Sequence, residues 1–291
     1  MKKIISTLLI AVMAVSMFAA CDQNSDTEAG FNTDAEIAVV SREDGSGTRG
    51  AFIELFGIEQ RNDDGTRKDL TTKEAIIARA TDVMMANIVN NQYAIGYVSM
   101  GSLNDTVKAV QIEGVEATTA NVVNGTYPIM RPFNIATNGT PSEVAQDFID
   151  FILSAEGQAV VSQSYIAVAN NAPAFSTTQP SGTIVIAGSS SVTPVMEKLA
   201  EAYKAINPNA NIEIQQTDSS AGMTSAIEGT CDIGMASREL KESELEVLTS
   251  TQIALDGIAV IVNVDSPIVS LTKDEVKAIF TGEVLVWSDV I

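Results

Sequence analysis

The sequence predicts an α/β protein, an open sheet with helices packed on its faces. Three observations predict it. A short apolar strand, a serine- and glycine-rich loop and then a helix occur in that order three times along the chain. Ala259-Val260-Ile261-Val262 is a continuous apolar run of the kind found in strands buried on both faces. Apolar residues make up 45% of the 291 positions, enough for a real core, and at about 100–200 residues per domain the length suits one large or two modest domains.

In chain order, residues 1–21, MKKIISTLLIAVMAVSMFAAC, join two lysines to an uncharged apolar stretch and a small-residue end. That is the pattern of an export signal, and the stretch is at the short limit of the roughly 20 residues a membrane span needs. Residues 22–34, DQNSDTEAGFNTD, are polar and read as a tether. The first strand–loop–helix unit is Glu36-Ile37-Ala38-Val39-Val40, then SREDGSGTRG, then AFIELF. Val144 to Val161 reads as one helix, with Val144, Phe148, Phe151 and Ile152 on a common face. Residues 176–182, STTQPSG, are turn and coil formers. The second unit is Thr183 to Ala187, then GSSSVTP, then a helix. In that helix Val195, Met196, Leu199, Ala202, Tyr203 and Ile206 share one face, and Pro194 sits near the start, where a missing N–H is harmless. The third unit is Asn211 to Ile214, then QQTDSSAGM, then a helix from Thr224 to Glu228. Capping boxes at Ser243-Glu244-Leu245-Glu246 and Thr272-Lys273-Asp274-Glu275 predict two more helix starts. Cys231 reads as a buried structural thiol.

Composition narrows the chemistry. Histidine is absent, which excludes histidine triads, histidine-ligated metals and histidine proton shuttles. Two cysteines cannot build a disulfide framework or a four-cysteine zinc site. Lys and Arg total 17 against 37 Asp and Glu, a net charge of −20, so the surface repels nucleic acid and anionic membranes. The three loops suit a different ligand. The first N–H groups of a helix lack intrahelical partners and carry the positive end of its dipole, while glycine admits a close ligand and serine adds donors. One such loop alone reads as an N-cap serine before an ordinary helix. Three in one chain, one of them carrying Arg42 and Arg49, point to a shared oxyanion. None reads G-x-x-x-x-G-K-[ST], so a nucleotide P-loop is not supported.

The same segments carry a family resemblance. IVIAGSSSVTPVMEKLAEAYKAINPNANIEI, DSSAGM, CDIGMASRELKESE, ALDGIAVIVN and LTKDEVKAIFTGEVLVWSDV resemble the first half of PstS-type phosphate-binding proteins, the extracytoplasmic receptors of phosphate ABC importers. EIAVVSREDGSGTRGAF, AIGYVSMGSL, NGTYPIMRPF and DFIDFILSAEGQAVV resemble the second half. The halves, at 183–291 and 36–170, stand in reversed order. That is the arrangement of a circular permutation whose old termini are joined by STTQPSG; a fragment of a tandem receptor is the other reading of the same order. Phe18-Ala19-Ala20-Cys21 resembles a lipobox, which implies a lipidated Cys21 at the mature N-terminus.

The resemblance implies a type II periplasmic-binding-protein-like α/β fold of two lobes, with mixed sheets and flanking helices. Residues 1–20 would be a signal peptide and 21–35 a lipid-anchored tether. Residues 36–126 with 264–291 would form one lobe, 127–175 with 183–263 the other, and 176–182 the linker. Hinge strands are expected near Tyr127–Pro132 and Asp256–Asn263. Inorganic phosphate would be held by Arg42, Ser46, Gly47 and Thr48 of REDGSGTR, Ser190 and Ser191 of GSSSV, Ser219 of DSSAG and Ser237 of MASREL, with Arg42 supplying the charge. Asp44 is expected to orient Arg42, and Arg49 reads equally as a ligand or a solvated helix residue. Many members carry an aspartate at or beside the position of Arg238, where it accepts the proton of monoprotonated phosphate and so rejects sulfate. Here either Glu239 or Asp44 is left for that role, or the discrimination against sulfate is weaker. The implied partner is an ABC permease, and the implied state is a monomer anchored outside the cell membrane, with no enzyme activity and no cofactor. A non-transporting pseudo-receptor, a fragment of a tandem phosphate-binding protein, or a receptor for another oxyanion such as sulfate is the alternative.

Overall fold

The computed structural model describes residues 30–62, 67–169 and 171–291, so the export signal and Cys21 lie outside the described residues. Strand β1 (Ala38–Arg42) carries two residues further than its apolar run, ending on Arg42. Ser46 caps α1 (Gly47–Leu55), its Oγ accepting the Arg49 N–H. A hairpin of β2 (Glu59–Arg61) and β3 (Arg67–Asp69) leads to β4 (Ile76–Ala78), α2 (Thr81–Val89) and the fully buried β5 (Ala94–Ser99). β6 (Val107–Ala109), β7 (Gln111–Ile112) and α3 (Thr119–Val123) precede β8 (Met130–Asn138). The helix expected over 144–161 is two helices, α4 (Glu143–Leu153) and α5 (Ala155–Val161). Ser154 between them adopts an extended backbone and accepts the Gly157 N–H, which ends one helix and caps the next.

After β9 (Ile166–Ala167), residues 176–181 take no regular structure and Gly182 already opens the next strand, yet the segment is tied down. Thr177 Oγ1 donates to Asp147, and Gln179 Nε2 to the Ile206 carbonyl. β10 (Gly182–Ser189), α6 (Thr193–Ile206) and β11 (Ala210–Thr217) follow as predicted, with Val195, Met196, Leu199 and Tyr203 buried. Helix α7 (Ser219–Glu228) starts five residues earlier than the pattern suggested, because Asp218 Oδ1 accepts the Ala221 N–H and caps it there. β12 (Ile233–Ala236) precedes α8 (Glu242–Leu245), whose cap is Lys241 rather than Ser243: the Glu244 carboxylate accepts the Lys241 N–H at 2.8 Å. β13 (Leu248–Asn263), β14 (Ser270–Leu271) and α9 (Lys273–Thr281) complete the order, and Thr272 with Glu275 forms the predicted capping box. Cys231 is buried, and burial pushes its thiol pKa up.

The main sheet runs β11-β10-β12-β8-β13-β5-β1-β4. β10 is parallel to β11 and β12, and β1 to β4 and β5; the pairs in the middle are antiparallel. One strand serves both ends. Leu248–Gly257 of β13 pairs with β8, and Ile258–Val262 pairs with β5, so β13 divides the sheet into two half-sheets. The first half-sheet packs Phe133, Phe148, Phe151, Ile186, Leu199 and Tyr203 into one core, with Met223 and Cys231 in a smaller one. The second packs Val40, Met84, Ile88, Val98 and Ile261, and stacks Phe52 on Tyr97 at 3.8 Å. Residues Thr33–Ile291 form one compact unit. Thr33 and Ala35 already belong to it, their carbonyls accepting the N–H groups of Ser288 and Trp287.

Where β13 passes between the half-sheets, an ion pair is buried. Arg131 of β8 donates from Nε and Nη2 to Asp256 Oδ2 at 3.2 and 3.1 Å, and both side chains are 1% exposed. Removing one partner of such a pair strands a charge, whereas removing both leaves none. Arg131→Met should therefore cost about 3–5 kcal/mol of stability, and adding Asp256→Asn should restore most of it. Denaturant titration followed by the fluorescence of Trp287, the one tryptophan, checks this. Equal losses in the single and double variants would contradict it.

Candidate functional site

Strands β1 and β10 lie in different half-sheets, and their carboxyl ends meet. There the side chains of Arg42, Thr48, Ser189, Ser190, Ser191, Ser219 and Ser237 are buried together. Helices α1, α2, α6 and α7 all begin at this point, with Thr48, Thr81, Thr193 and Ser219 in their first turns. Their orphan N–H groups and dipoles give the cluster a local positive field, although the chain as a whole is strongly acidic.

Arg42 is 2% exposed. Its Nε and Nη2 fork onto the Glu43 carboxylate at 2.8 and 2.6 Å, and Nε also reaches the Ala78 carbonyl at 3.1 Å. Nη2 donates across to Ser190 Oγ at 3.1 Å, and Nη1 lies 3.5 Å from Thr81 Oγ1. Hydroxyls continue the network. Thr48 Oγ1 and Ser191 Oγ are 2.8 Å apart, and Thr81 Oγ1 is 3.2 and 3.4 Å from Ser190 and Ser191. Ser189 donates to Ser237 Oγ at 2.9 Å, and the Ser237 N–H donates to Ser219 Oγ at 3.1 Å. Gly47 seats α1 against this group, because a Cβ there would collide with the hydroxyls of Ser219 and Ser237. The Ser220 N–H donates to the Gly45 carbonyl at 3.2 Å, closing the same seam. Behind the cluster, Tyr97 accepts the Arg42 N–H at 3.1 Å and shares a hydrogen bond with Ser41; burial pushes its phenol pKa up, so it stays neutral.

The structure thus brings six of the eight predicted residues into one hydrogen-bonded network and packs a seventh, Gly47, against it. Ser46 is buried at its edge, but its hydroxyl bond is the cap of α1. One expectation is corrected. Asp44 does not orient Arg42; it is 96% exposed and pairs with Arg49, while the adjacent Glu43 holds Arg42. Arg49 bridges Asp44 and Asp69 and donates to the Arg42 carbonyl at 2.8 Å, on the wall of the neighbouring cleft. Glu239 is exposed as well, so both carboxylates considered as proton acceptors lie at the surface. Arg238 forks onto Glu244 at 2.8 Å from each amine nitrogen. Burial opposes the Glu244 charge, yet Arg238 and the Lys241 N–H hold its pKa below the usual carboxylate range. Sequence reasoning missed Glu43 and Thr81. The only signal for Thr81 was its place before an apolar stretch, Val83-Met84-Met85.

Chemically, the cluster is rich in donors and offers no base paired to a nucleophile. Among the described residues no group of three or more His, Cys, Asp or Glu could hold a metal. A cleft of about 650 Å³ opens beside it, lined by Glu43, Gly45, Lys73, Arg79 and Asp218 among others. Among the described residues no helix is long and apolar enough to cross a membrane.

Known proteins share this architecture. The family model described as a PBP superfamily domain matches residues 15–156 and 173–291. Phosphate-binding protein PstS 2 of Streptococcus agalactiae serotype V is 48% identical over 290 residues, covering 99% of this chain and 98% of the relative. Phosphate-binding protein PstS 2 of Streptococcus pneumoniae serotype 4 is 41% identical over 291 residues, 99% of each chain. The crystal structure of a phosphate-binding protein of a phosphate ABC transporter from Streptococcus pneumoniae TIGR4 superposes with a TM-score of 0.70 at 44% identity, over 88% of this chain and all of the other. Matched along nearly its whole length by family model, relatives and fold alike, this chain belongs to the PBP superfamily and is a PstS-type protein.

Proposed function

We propose that the chain is the solute-binding receptor of a phosphate ABC importer, not an enzyme, and that inorganic phosphate is held in the buried cluster by Arg42, Gly47, Thr48, Ser190, Ser191, Ser219 and Ser237, with Ser46 ordering the loop. The observation that carries this reading is the convergence of four helix N-termini and their hydroxyls on one buried arginine. Positive dipole ends and neutral donors solvate an oxyanion without a full complement of cations, and Arg42 adds a charge-assisted bond. The names of the streptococcal relatives support the choice of phosphate. The half-sheets are the lobes, and the segments near Tyr127–Pro132 and Asp256–Asn263, the second of them in the shared strand β13, are the hinge about which they part to admit the ion.

Calorimetric titration of residues 22–291 tests this. One phosphate should bind per chain, and Arg42→Ala should weaken binding by about 2–5 kcal/mol, since a desolvated anion loses its charged partner. Undiminished affinity in that variant, or heat with sulfate and none with phosphate, would overturn the assignment.

The receptor works outside the cell membrane, as a monomer, tethered through a lipidated Cys21 and handing phosphate to the permease. The lipobox-like Phe18-Ala19-Ala20-Cys21 supports the tether. Expressed with its signal, the wild type should partition into detergent and Cys21→Ser into the aqueous phase; equal partitioning would remove the anchor. The halves stand in circularly permuted order relative to other PstS proteins. Support comes from the shorter matches to PstS of Staphylococcus haemolyticus and Bacillus subtilis, 111 and 112 residues against 290 for the Streptococcus agalactiae relative. A permuted alignment that failed to extend these matches through the other half would contradict it.

A further inference from the structure

We propose that Arg131 and Asp256 are positioning residues for the cluster: buried where the chain passes between the half-sheets, they hold the Ser237 peptide and so set the Ser237 hydroxyl for the anion. This rests on the reading of the cluster as a phosphate site.

The place of the pair is the first support. Asp256 lies opposite Arg131 in the ladder, one residue before the β8-paired stretch of β13 ends, and Ile258, two residues on, pairs with Ser99 of β5. Asp256 is therefore gripped from both half-sheets. Ser99 Oγ donates to Oδ1 at 2.9 Å and the Gly101 N–H adds a further bond, while Arg131 takes Oδ2. Burial pushes the Asp256 carboxyl up, to about 6, with Arg131 and Ser99 pulling it back, so this carboxylate depends on those partners.

The second support is the use of the third arm of Arg131. Nη1 donates to the Ser237 carbonyl at 3.1 Å. An ion pair that served only to join β8 and β13 would have no need of a main-chain carbonyl 106 residues away. Asn134, three residues further along β8, donates to the next carbonyl, that of Arg238, at 2.9 Å. The two side chains thus grasp consecutive peptides of the loop that follows β12. On the far side of the same loop, the Ser237 N–H and Oγ meet Ser219 and Ser189. The Ser237 hydroxyl is held in place from behind by a pair that touches both half-sheets, and a shift at the strand crossing is passed to the cluster through one guanidinium. Lysine cannot replace it, because one ammonium cannot span a carboxylate and a carbonyl with a planar fork.

The test is a double-mutant cycle on phosphate affinity. One change is Arg131→Met with Asp256→Asn, which removes both charges; the other is Ser237→Ala. Replacing the pair should weaken phosphate binding about tenfold in the wild-type background and less than about twofold once the Ser237 hydroxyl is gone. Equal factors in the two backgrounds overturn the proposal, since a general loss of rigidity would act in both. If the paired variant does not fold, Arg131→Lys takes its place in the cycle with the same expectation. A wild-type protein that binds no phosphate overturns the reading of the site and this proposal with it. Wild-type binding with equal factors overturns the proposal alone.

Discussion

Burying one arginine and seven hydroxyl groups at a single seam requires that each find a partner, and most of the fold around the seam follows from meeting that requirement. A buried polar group without a partner costs about 1–3 kcal/mol. Arg42 is met by Glu43, Ala78 and Ser190, and Thr48 by Ser191. Ser237 is met by Ser189, Ser219 and Arg131. These partners come from both half-sheets, so the loops can satisfy one another only when β1 and β10 end at the same place. The glycines follow from the same requirement, since any side chain at Gly47 would push α1 off the serines.

Much of this was legible locally. Serine-glycine loops between an apolar strand and an amphipathic stretch are signals contained in a few residues, and they pointed to a shared oxyanion, while the resemblance to PstS-type proteins picked out Arg42, Thr48, Ser190, Ser191, Ser219 and Ser237 individually. What was not legible depends on approach in three dimensions. Thr81 opens α2 behind Ala80, which makes no side-chain cap, and it follows a strand of only three residues, so nothing in Ala80-Thr81-Asp82 marks it. Glu43 and Asp44 are adjacent carboxylates, and nothing in their sequence marks that Glu43 turns to Arg42 while Asp44 pairs with Arg49. Ser154 breaks a helix that is amphipathic throughout, because its own capping bond competes with the helical one. Asp256 and Arg131 are 125 residues apart and give no pattern at all.

The strand shared between half-sheets bears on how such a receptor moves. β13 is continuous through the crossing, and in the proposed receptor the two halves of the sheet would change their relation by a change of twist near Gly257, beside the buried pair. Coupling the cluster to that point through Arg131 places the proposed ion site and the proposed hinge within one hydrogen-bonded network. The streptococcal relatives are matched end to end, so the order of segments is common to them, and Thr33 to Ile291 forms one compact unit.

Crystals grown with arsenate, a tetrahedral anion like phosphate whose arsenic can be located by anomalous scattering, would show where the ion sits. One arsenic peak per chain is expected among Thr48, Ser190, Ser191 and Ser219, with its oxygens about 2.5–3.2 Å from their hydroxyls and from the Arg42 guanidinium. A peak only in the neighbouring cleft beside Lys73 and Arg79, or none in crystals of folded protein, would contradict the cluster as the anion site.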